Sequence, residues 1–201
     1  MFGSVFLAKH KTKGTLYAIK GVSRDQADTH RIHENLINER NICLQIDHVM
    51  IMKMVKTLKD SARVYFLTEH IHGIDLFDAL RNIGLATDTD AKFYTGCMLL
   101  ALDHLYEKKI VHRDLKPENT MVDSEGYLKV IDFGTAKFIS ERTYTVIGTP
   151  HYMAPEILMG RGYSMAVDIW SLGIMLFEFL AGGVPFGEEQ TDSYQVYEKV
   201  L

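Results

Sequence analysis

The chain has 201 residues, of which 47% are hydrophobic, and its 22 basic and 26 acidic residues give a formal net charge of −4. This length and composition support a sizeable buried core, which can divide into two lobes, and they predict a soluble globular protein. Because no basic excess is present, the composition gives no indication of binding to nucleic acid or to an anionic membrane.

The two cysteines, Cys43 and Cys97, both lie within helical patterns and lack metal-ligand spacing. This arrangement predicts buried free thiols in a reducing cytosol, with a disulfide between them as the alternative. No signal-peptide pattern occurs at the N-terminus, so the expected location is cytoplasmic.

The first third of the chain predicts a small, mostly β unit with one main helix. Residues 5–10 and 16–22 are typical of strands joined by a turn at Lys13-Gly14, and residues 64–68 are typical of another strand. Between them, apolar residues at helical spacing indicate a helix; they are Ile32, Leu36, Cys43 and Ile46.

After residues 69–73 the pattern becomes more helical. Thr87-Asp88-Thr89-Asp90 resembles a capping box that starts a long helix through Leu105. Ser124-Glu125-Gly126 predicts a turn between two short strands, and a last helix is expected from about Ser193. Residues 169–180 form the most apolar stretch, but it is too short to span a bilayer and contains Glu178, so we expect a helix buried in the larger unit.

The strongest chemical signal is the octapeptide His112-Arg113-Asp114-Leu115-Lys116-Pro117-Glu118-Asn119, which Asp132-Phe133-Gly134 follows thirteen positions later. Asp114 can accept a hydrogen bond from a substrate hydroxyl and orient it, while Lys116 can neutralise charge on a transferred phosphoryl group. Asn119 and Asp132 offer the hard oxygen ligands that suit Mg²⁺. A lone Asp-x-x-x-x-Asn is more often a solvated loop, but these roles together indicate phosphoryl transfer with a divalent metal.

These motifs resemble the catalytic landmarks of the eukaryotic protein kinase domain, as do Tyr17-Ala18-Ile19-Lys20, Ala154-Pro155-Glu156 and Asp168-Ile169-Trp170. The resemblance runs from Gly3 to the last residue. Residues 142–156 are most similar to the activation loop of cyclic-nucleotide-dependent kinases, the cyclic-GMP-dependent kinases of protists above all. The resemblance implies a bilobal α+β fold, with an N-lobe over 1–68, a hinge over 69–73 and a C-lobe over 74–201.

The resemblance also implies an ATP site between the lobes. Lys20 would contact the α- and β-phosphates and pair with Glu39, which lies 19 positions later. Alone, these two residues would be taken for exposed surface charges, and only the catalytic loop gives them this role. The remaining residues implied for the nucleotide are Gly3 at the end of a glycine-rich loop, Val5, Ala18 and Met121 around adenine, Thr68 before the hinge, and the backbone groups of Glu69 and Ile71.

Regulation and substrate choice follow from the same resemblance. Thr145 matches a regulatory phosphosite that Arg113 and Lys137 would pair with, although Asn35 stands where the family often has a histidine that also reaches the phosphate. The acids Asp75, Glu118 and Glu178 match positions that bind arginines before the phosphorylated residue; scattered surface carboxylates are the alternative. Thr149 would help to select Ser or Thr through hydrogen bonds to Asp114 and Lys116.

The expected function is therefore Mg²⁺- and ATP-dependent phosphorylation of Ser or Thr in proteins with Arg or Lys upstream, without membrane insertion. The chain matches only the tail of the glycine-rich loop and stops before the end of the family's domain. We therefore also expect, as the alternative, a truncated, catalytically weak or inactive kinase-like binding module. The sequence does not assign an oligomeric state.

Overall fold

A computed structural model of the protein describes residues 3–30 and 32–201. The first two residues of the predicted N-lobe lie outside this range. The strands are β1 (Ser4–Lys9), β2 (Leu16–Ser23), β3 (Met54–Lys59), β4 (Arg63–Glu69), β5 (Gly73–Asp75), β6 (Ile110–Val111), β7 (Thr120–Asp123), β8 (Leu128–Val130) and β9 (Lys137–Phe138). The helices are α1 (Arg24–Thr29), α2 (His33–Cys43), α3 (Leu76–Ile83), α4 (Asp88–Glu107), α5 (Pro155–Leu158), α6 (Ala166–Ala181) and α7 (Ser193–Val200).

The N-terminal part is built on an antiparallel four-stranded sheet in the order β1-β2-β4-β3. Lys20 of β2 lies opposite Val5 on one side and Phe66 on the other, and Ala18 lies opposite Thr68. This register brings a lysine and an alanine of β2 to the same face, because alternate residues of a strand point the same way. Helix α2 buries Glu39, Ile42 and Cys43.

The C-terminal part is mainly helical and surrounds a small three-stranded sheet in the order β5-β7-β8. The predicted capping box begins α4: Thr87 Oγ1 accepts a hydrogen bond from Asp90 N–H (3.2 Å), and Asp90 Oδ2 accepts one from Thr87 N–H (3.2 Å). The predicted apolar helix is α6, and it buries Leu172, Met175 and Phe179. Among the described residues, no helix is both long and apolar enough to cross a membrane. The structure confirms the predicted bilobal α+β fold class.

Two elements of the N-terminal part were not predicted. Helix α1 has six mostly polar residues and buries only Ala27, so it has no apolar periodicity to detect. Strand β3 lies at the edge of the sheet and contains two lysines, a composition that protects an edge from pairing with another chain but weakens the strand signal. Helix α2 is also shorter than the apolar pattern suggested, since it ends at Cys43 and leaves the buried Ile46 beyond it.

Residues 70–72 connect the two sheets, and Gly73 fixes the point where the second sheet begins. Gly73 pairs with Asp123 in the β5–β7 ladder. Its backbone approaches β7 so closely that an added Cβ would collide with the carbonyl oxygen of Val122. A residue without a side chain is therefore required at the end of the linker.

Both cysteines are free and buried, as the sequence predicts. Burial, together with the nearby Glu39 carboxylate, raises the pKa of the Cys43 thiol to about 12, against the smaller opposing effect of Lys20. At pH 8 only about one Cys43 thiol in 10,000 is then ionised, because each pKa unit is a tenfold change.

We therefore predict that neither cysteine reacts with iodoacetamide at pH 8 in the native protein. Both should be alkylated in concentrated guanidinium chloride, where burial is lost. Peptide mass spectrometry after each treatment gives the measurement. Rapid native alkylation at Cys43 would contradict the buried, protonated thiol.

Candidate active site

The loop that contains Asp114 is held by a buried carboxylate from helix α6. Asp168 Oδ2 accepts a hydrogen bond from His112 N–H (2.8 Å), and Asp168 Oδ1 accepts one from Arg113 N–H (2.9 Å). Burial raises the pKa of Asp168, although His112 and the two N–H donors act in the opposite direction. The contacts hold Arg113 at a φ of 71°, a left-handed conformation that costs a non-glycine residue about 1–3 kcal/mol.

Asp114 stands at the centre of a compact polar network. Asn119 Nδ2 donates to both the backbone oxygen (2.8 Å) and Oδ2 (3.0 Å) of Asp114. Thr149 Oγ1 donates to Asp114 Oδ1 (2.6 Å) and accepts from Lys116 Nζ (2.6 Å), which also lies 3.4 Å from Asp114 Oδ2. The predicted contacts of Thr149 with Asp114 and Lys116 are thus present. Each carboxylate oxygen has two lone pairs, so acceptor capacity remains for a further hydroxyl.

On the opposite side, Lys20 forms the predicted pair with Glu39. Lys20 Nζ donates to Glu39 Oε1 at 2.9 Å and lies 3.9 Å from Asp132 Oδ1. Burial lowers the pKa of Lys20, but the carboxylates of Glu39 and Asp132 raise it by more, so the net direction is upward. The ammonium group therefore stays protonated between two acids, one from each part of the fold.

Two adjoining cavities meet at Lys20, Glu39 and Asp132. The first has a volume of about 340 Å³ and extends towards the linker between the sheets. The second, of about 350 Å³, extends towards the catalytic loop and is lined by Asp114 and Asn119. Asp114 and Asp132 thus open onto one space beside Lys20, and the joint volume is in the range of small-molecule sites.

Most residues predicted to surround adenine line the first cavity. Ala18 and Thr68 come from the four-stranded sheet, and Met121 comes from the second sheet. Thr68 is only 6% exposed. The remaining predicted lining residues are Val5, Lys20, Glu69, Ile71 and Asp132. Gly3 is not among the residues that line either cavity.

The oxygen atoms near Asn119 and Asp132 suit a magnesium ion shared with phosphates. The amide nitrogen of Asn119 donates to Asp114, so the amide oxygen is the atom of this side chain that can coordinate a metal. Asp132 Oδ1 accepts Gly134 N–H (2.9 Å), which leaves Oδ2. No group of three or more His, Cys, Asp or Glu in the described residues could hold a metal. Two protein oxygens fit Mg²⁺, which usually takes its other ligands from water and phosphate.

The segment with Thr145 is ordered around a neighbouring threonine. Lys137 Nζ donates to Thr143 Oγ1 (3.1 Å), and the backbone of Thr143 pairs with that of Tyr163 in both directions. Thr145 is exposed, and its backbone oxygen accepts the Tyr163 hydroxyl (2.6 Å). Arg113 Nε donates to the backbone oxygen of Thr135 (2.7 Å), while its buried Nη1 has no hydrogen-bond partner in the described structure.

The three predicted substrate acids do not form one cluster. Glu178 accepts the Tyr152 hydroxyl (2.7 Å). Burial raises the pKa of Glu178, the bond from Tyr152 lowers it, and nearby Glu118 adds to the rise, so the net direction is upward. Asp75 instead caps helix α3 by accepting the N–H of Asp78 (2.8 Å), and α3 packs on the short 3-10 helix, Pro117–Asn119, that contains Glu118.

Two positioning residues were missed by the sequence reasoning. Asp168 was identified only as part of a motif, although a buried charge at the start of an apolar helix is itself a signal of a specific partner. Asn38 Nδ2 donates to the backbone oxygen of Ala136 (2.7 Å) and so links α2 to the segment after Asp132. This contact ties helix and loop together although Asn35, three residues earlier, is exposed.

Comparisons with known proteins identify the family of the chain. The protein kinase domain family matches residues 1–200, and the chain belongs to that family. Over 200 residues it is 46% identical to a cGMP-dependent protein kinase of Plasmodium berghei (strain Anka) and 42% identical to one of Toxoplasma gondii. It is 39% identical to a cAMP-dependent protein kinase catalytic subunit of Dictyostelium discoideum.

Each match covers 100% of this chain, but only 23%, 20% and 31% of these three relatives, respectively. The chain thus spans a fifth to a third of their length. The matches confirm the resemblance that the sequence motifs indicated.

We predict that Asp168→Asn destabilises the protein by about 1–3 kcal/mol, because an amide can accept from only one of the two buried N–H donors and leaves the other unsatisfied. Urea unfolding followed by fluorescence gives the free energy of unfolding. Asp103→Asn, an exposed acid on α4, is the matched control. Equal stability of the two variants would contradict a structural role for Asp168.

Proposed function

We propose that this chain is the catalytic part of a protein kinase that transfers the γ-phosphoryl group of ATP to Ser or Thr in proteins. The observation that supports this function is the shared space in which Asp114, Asn119, Asp132 and Lys20 face one another. Residues of these types beside a mostly apolar cavity are the parts that phosphoryl transfer requires. Kinase relatives that match the whole chain support the same reaction class.

The nucleotide would lie across both cavities. Adenine would lie in the first cavity, between Val5 and Ala18 on one side and Met121 on the other, with its polar edge at the backbone of Glu69 and Ile71; all five residues line that cavity. The phosphates would then extend to Lys20, whose ammonium group is held by Glu39. Because both partners of this pair are largely buried, the lysine is oriented before the nucleotide binds.

The catalytic loop would orient the acceptor hydroxyl. Asp114 accepts its hydrogen bond and takes the proton late, since the transition state is loose. Thr149 and Asn119 fix the carboxylate, and Lys116 places a positive charge beside the transferred group. Bound Mg²⁺ would neutralise charge on the phosphates, and Asn119 and Asp132 are the residues that would hold it.

The substrate would be a protein segment with Arg or Lys before the Ser or Thr. Glu118 and Glu178 influence each other electrostatically near Tyr152, and Asp75 lies at the start of the helix that packs beside Glu118. Acidic side chains at a binding surface favour a partner segment with positive charge. The buried free thiols also support a reducing, cytoplasmic environment.

We predict that the purified chain phosphorylates an arginine-rich Ser peptide with Mg-ATP, and that Asp114→Asn lowers kcat at least about 100-fold, the low end of acid–base contributions. Radiolabel transfer measures the activity. A peptide with its arginines replaced by alanine should react more slowly, which tests the basic preference separately.

The Asp123→Asn variant is the control, since Asp123 is a carboxylate that faces the turn between β7 and β8. If the unmodified chain transferred no more phosphate than Asp114→Asn, the kinase proposal for this chain would be overturned. If Mg-ATP nevertheless raised the melting temperature, the kinase-like binding module would be the better description.

Regulation would come from phosphorylation of Thr145. The added phosphate carries close to two negative charges, and the unpartnered Nη1 of Arg113 is a buried donor that it could satisfy. Lys137 would have to leave Thr143 or contact both groups. Such pairing orders a loop through charge-assisted hydrogen bonds.

We predict that phosphothreonine placed at position 145 by genetic code expansion slows hydrogen exchange of residues 135–149. The effect should be absent in Arg113→Gln, which loses the cation. Mass spectrometry of peptic peptides measures the exchange, and helix α4 provides an internal control far from the phosphate. Equal protection with and without Arg113 would contradict this pairing.

A further inference from the structure

Glu69, the last residue of β4, contacts both the segment before β3 and strand β8. Its N–H donates to the backbone oxygen of Lys53 (2.9 Å), and its side-chain Oε1 accepts the N–H of Lys53 (2.9 Å). The same Oε1 lies 2.8 Å from Lys129 Nζ. One carboxylate oxygen is thus shared between the segment before β3 and a lysine of β8.

Lys129 belongs to the other sheet. In the β7–β8 ladder it lies directly opposite Met121, and Met121 lies opposite Asp75 of β5. The ion pair therefore joins the end of the four-stranded sheet to the strand pair that carries Met121. The first cavity opens between these two sheets, and Glu69 and Met121 both line it.

Both partners of the pair are also held by other contacts. Strand β8 is already joined to the segment before β3 by two backbone hydrogen bonds, from Met52 N–H to Val130 O (2.9 Å) and from Val130 N–H to Met50 O (3.0 Å). Lys129 is therefore anchored through its neighbour in the strand. Glu69 directly precedes the three-residue linker, and the ion pair ties its side chain to β8 in addition to its ladder pair with Tyr17.

Partial burial distinguishes this pair from ordinary surface charges. The side chains of Lys129 and Glu69 are 18% and 32% exposed. A second pair nearby, Lys53 Nζ to Asp47 Oδ1 (2.8 Å), has exposures of 58% and 79%. Exposed pairs contribute little because water screens them, so the more enclosed pair has the stronger effect on geometry.

We propose that the Glu69–Lys129 ion pair positions the linker backbone for recognition of the adenine edge. This inference rests on the proposed nucleotide site and adds Lys129 as a positioning residue that does not itself touch the base. The carbonyl of Glu69 accepts the Thr68 hydroxyl (3.2 Å), and the ion pair ties the side chain of the same residue to the strand opposite Met121. The pair would thus hold the groups that read the base edge at a set distance from the side chain that covers the base face.

The two members of the pair allow different substitutions. Lys129→Met removes the charge and the hydrogen bond but keeps an apolar stem of similar length. Glu69→Gln retains an oxygen that can accept Lys53 N–H and weakens only the ionic contact. Lys53→Met is the matched control, because it removes the exposed pair with Asp47 while its backbone N–H still reaches Glu69.

The test measures the dissociation constants of ATP and ITP, each with Mg²⁺, by isothermal titration calorimetry on the 201-residue chain. The two nucleotides carry the same triphosphate but differ at the base edge. In Lys129→Met the dissociation constant of ATP should rise about three- to tenfold, the scale of one ordinary hydrogen bond, because the lysine acts on the base only indirectly. The preference for ATP over ITP should shrink. Lys53→Met should match the unmodified chain.

The remaining outcomes separate the two proposals. If the unmodified chain binds neither nucleotide, the proposed function fails, and this inference fails with it. If the chain binds ATP but Lys129→Met keeps both the affinity and the base preference, only the positioning role is overturned. An equal loss for ATP and ITP would also overturn it, since that result indicates general loosening of the site.

Melting temperatures without ligand show whether each variant folds. Should Lys129→Met fail to fold, Glu69→Gln decides the question with the same pair of nucleotides. In a double variant, the effects of the two substitutions on ATP binding should be less than additive, because either one alone already removes the ionic contact.

Discussion

The hydrogen bonds that the Asp168 carboxylate accepts from the catalytic loop are the constraint on which the rest of the site depends. The backbone at Arg113 adopts a conformation that a side-chain-bearing residue rarely holds alone, and two N–H groups on a buried carboxylate hold it there. Asp114 follows immediately, so its direction is set by an acid in helix α6 that never faces the cavity. A charge inside an apolar helix is costly to bury, and its retention makes sense as the anchor of this loop.

From that anchor the site is assembled out of pieces that depend on one another. Thr149, 35 positions along the chain, donates a hydrogen bond to the Asp114 carboxylate, and Asn119 donates another from within the loop. Across the cavity, Lys20 is oriented by Glu39, and α2 is tied to the segment after Asp132 through Asn38. Movement of α2 would thus alter both the lysine and the segment that follows Asp132, so the two halves of the site are mechanically coupled.

How much of this the sequence could predict depends on how local each signal is. Asp114, Asn119 and Asp132 stand in short motifs whose residue types each have a distinct chemical role, so their grouping could be inferred without a structure. The start of the long helix at Asp88 could be predicted because its capping box consists of four consecutive residues. Asn38 and Lys129 act through partners 98 and 60 positions away, and no local pattern marks these residues. Asp168 stands in a motif, but the motif does not indicate that its partner lies 56 positions away. Strand β3 was missed for the related reason that only the sheet gives its lysine-rich segment a strand conformation.

Gly73 has a consequence for how the two halves can turn relative to each other. Ladder pairing extends through Glu69 on one side and restarts at Gly73 on the other, where the main chain lies directly against Val122. Only residues 70–72 remain outside both ladders, so the linker itself offers a handful of torsion angles for an opening or closing rotation. Such a rotation would also strain the hydrogen bonds that join Val130 to Met50 and Met52. So short a pivot offers few torsion angles, and it lies at the wall of the first cavity, which His70, Ile71 and Gly73 line.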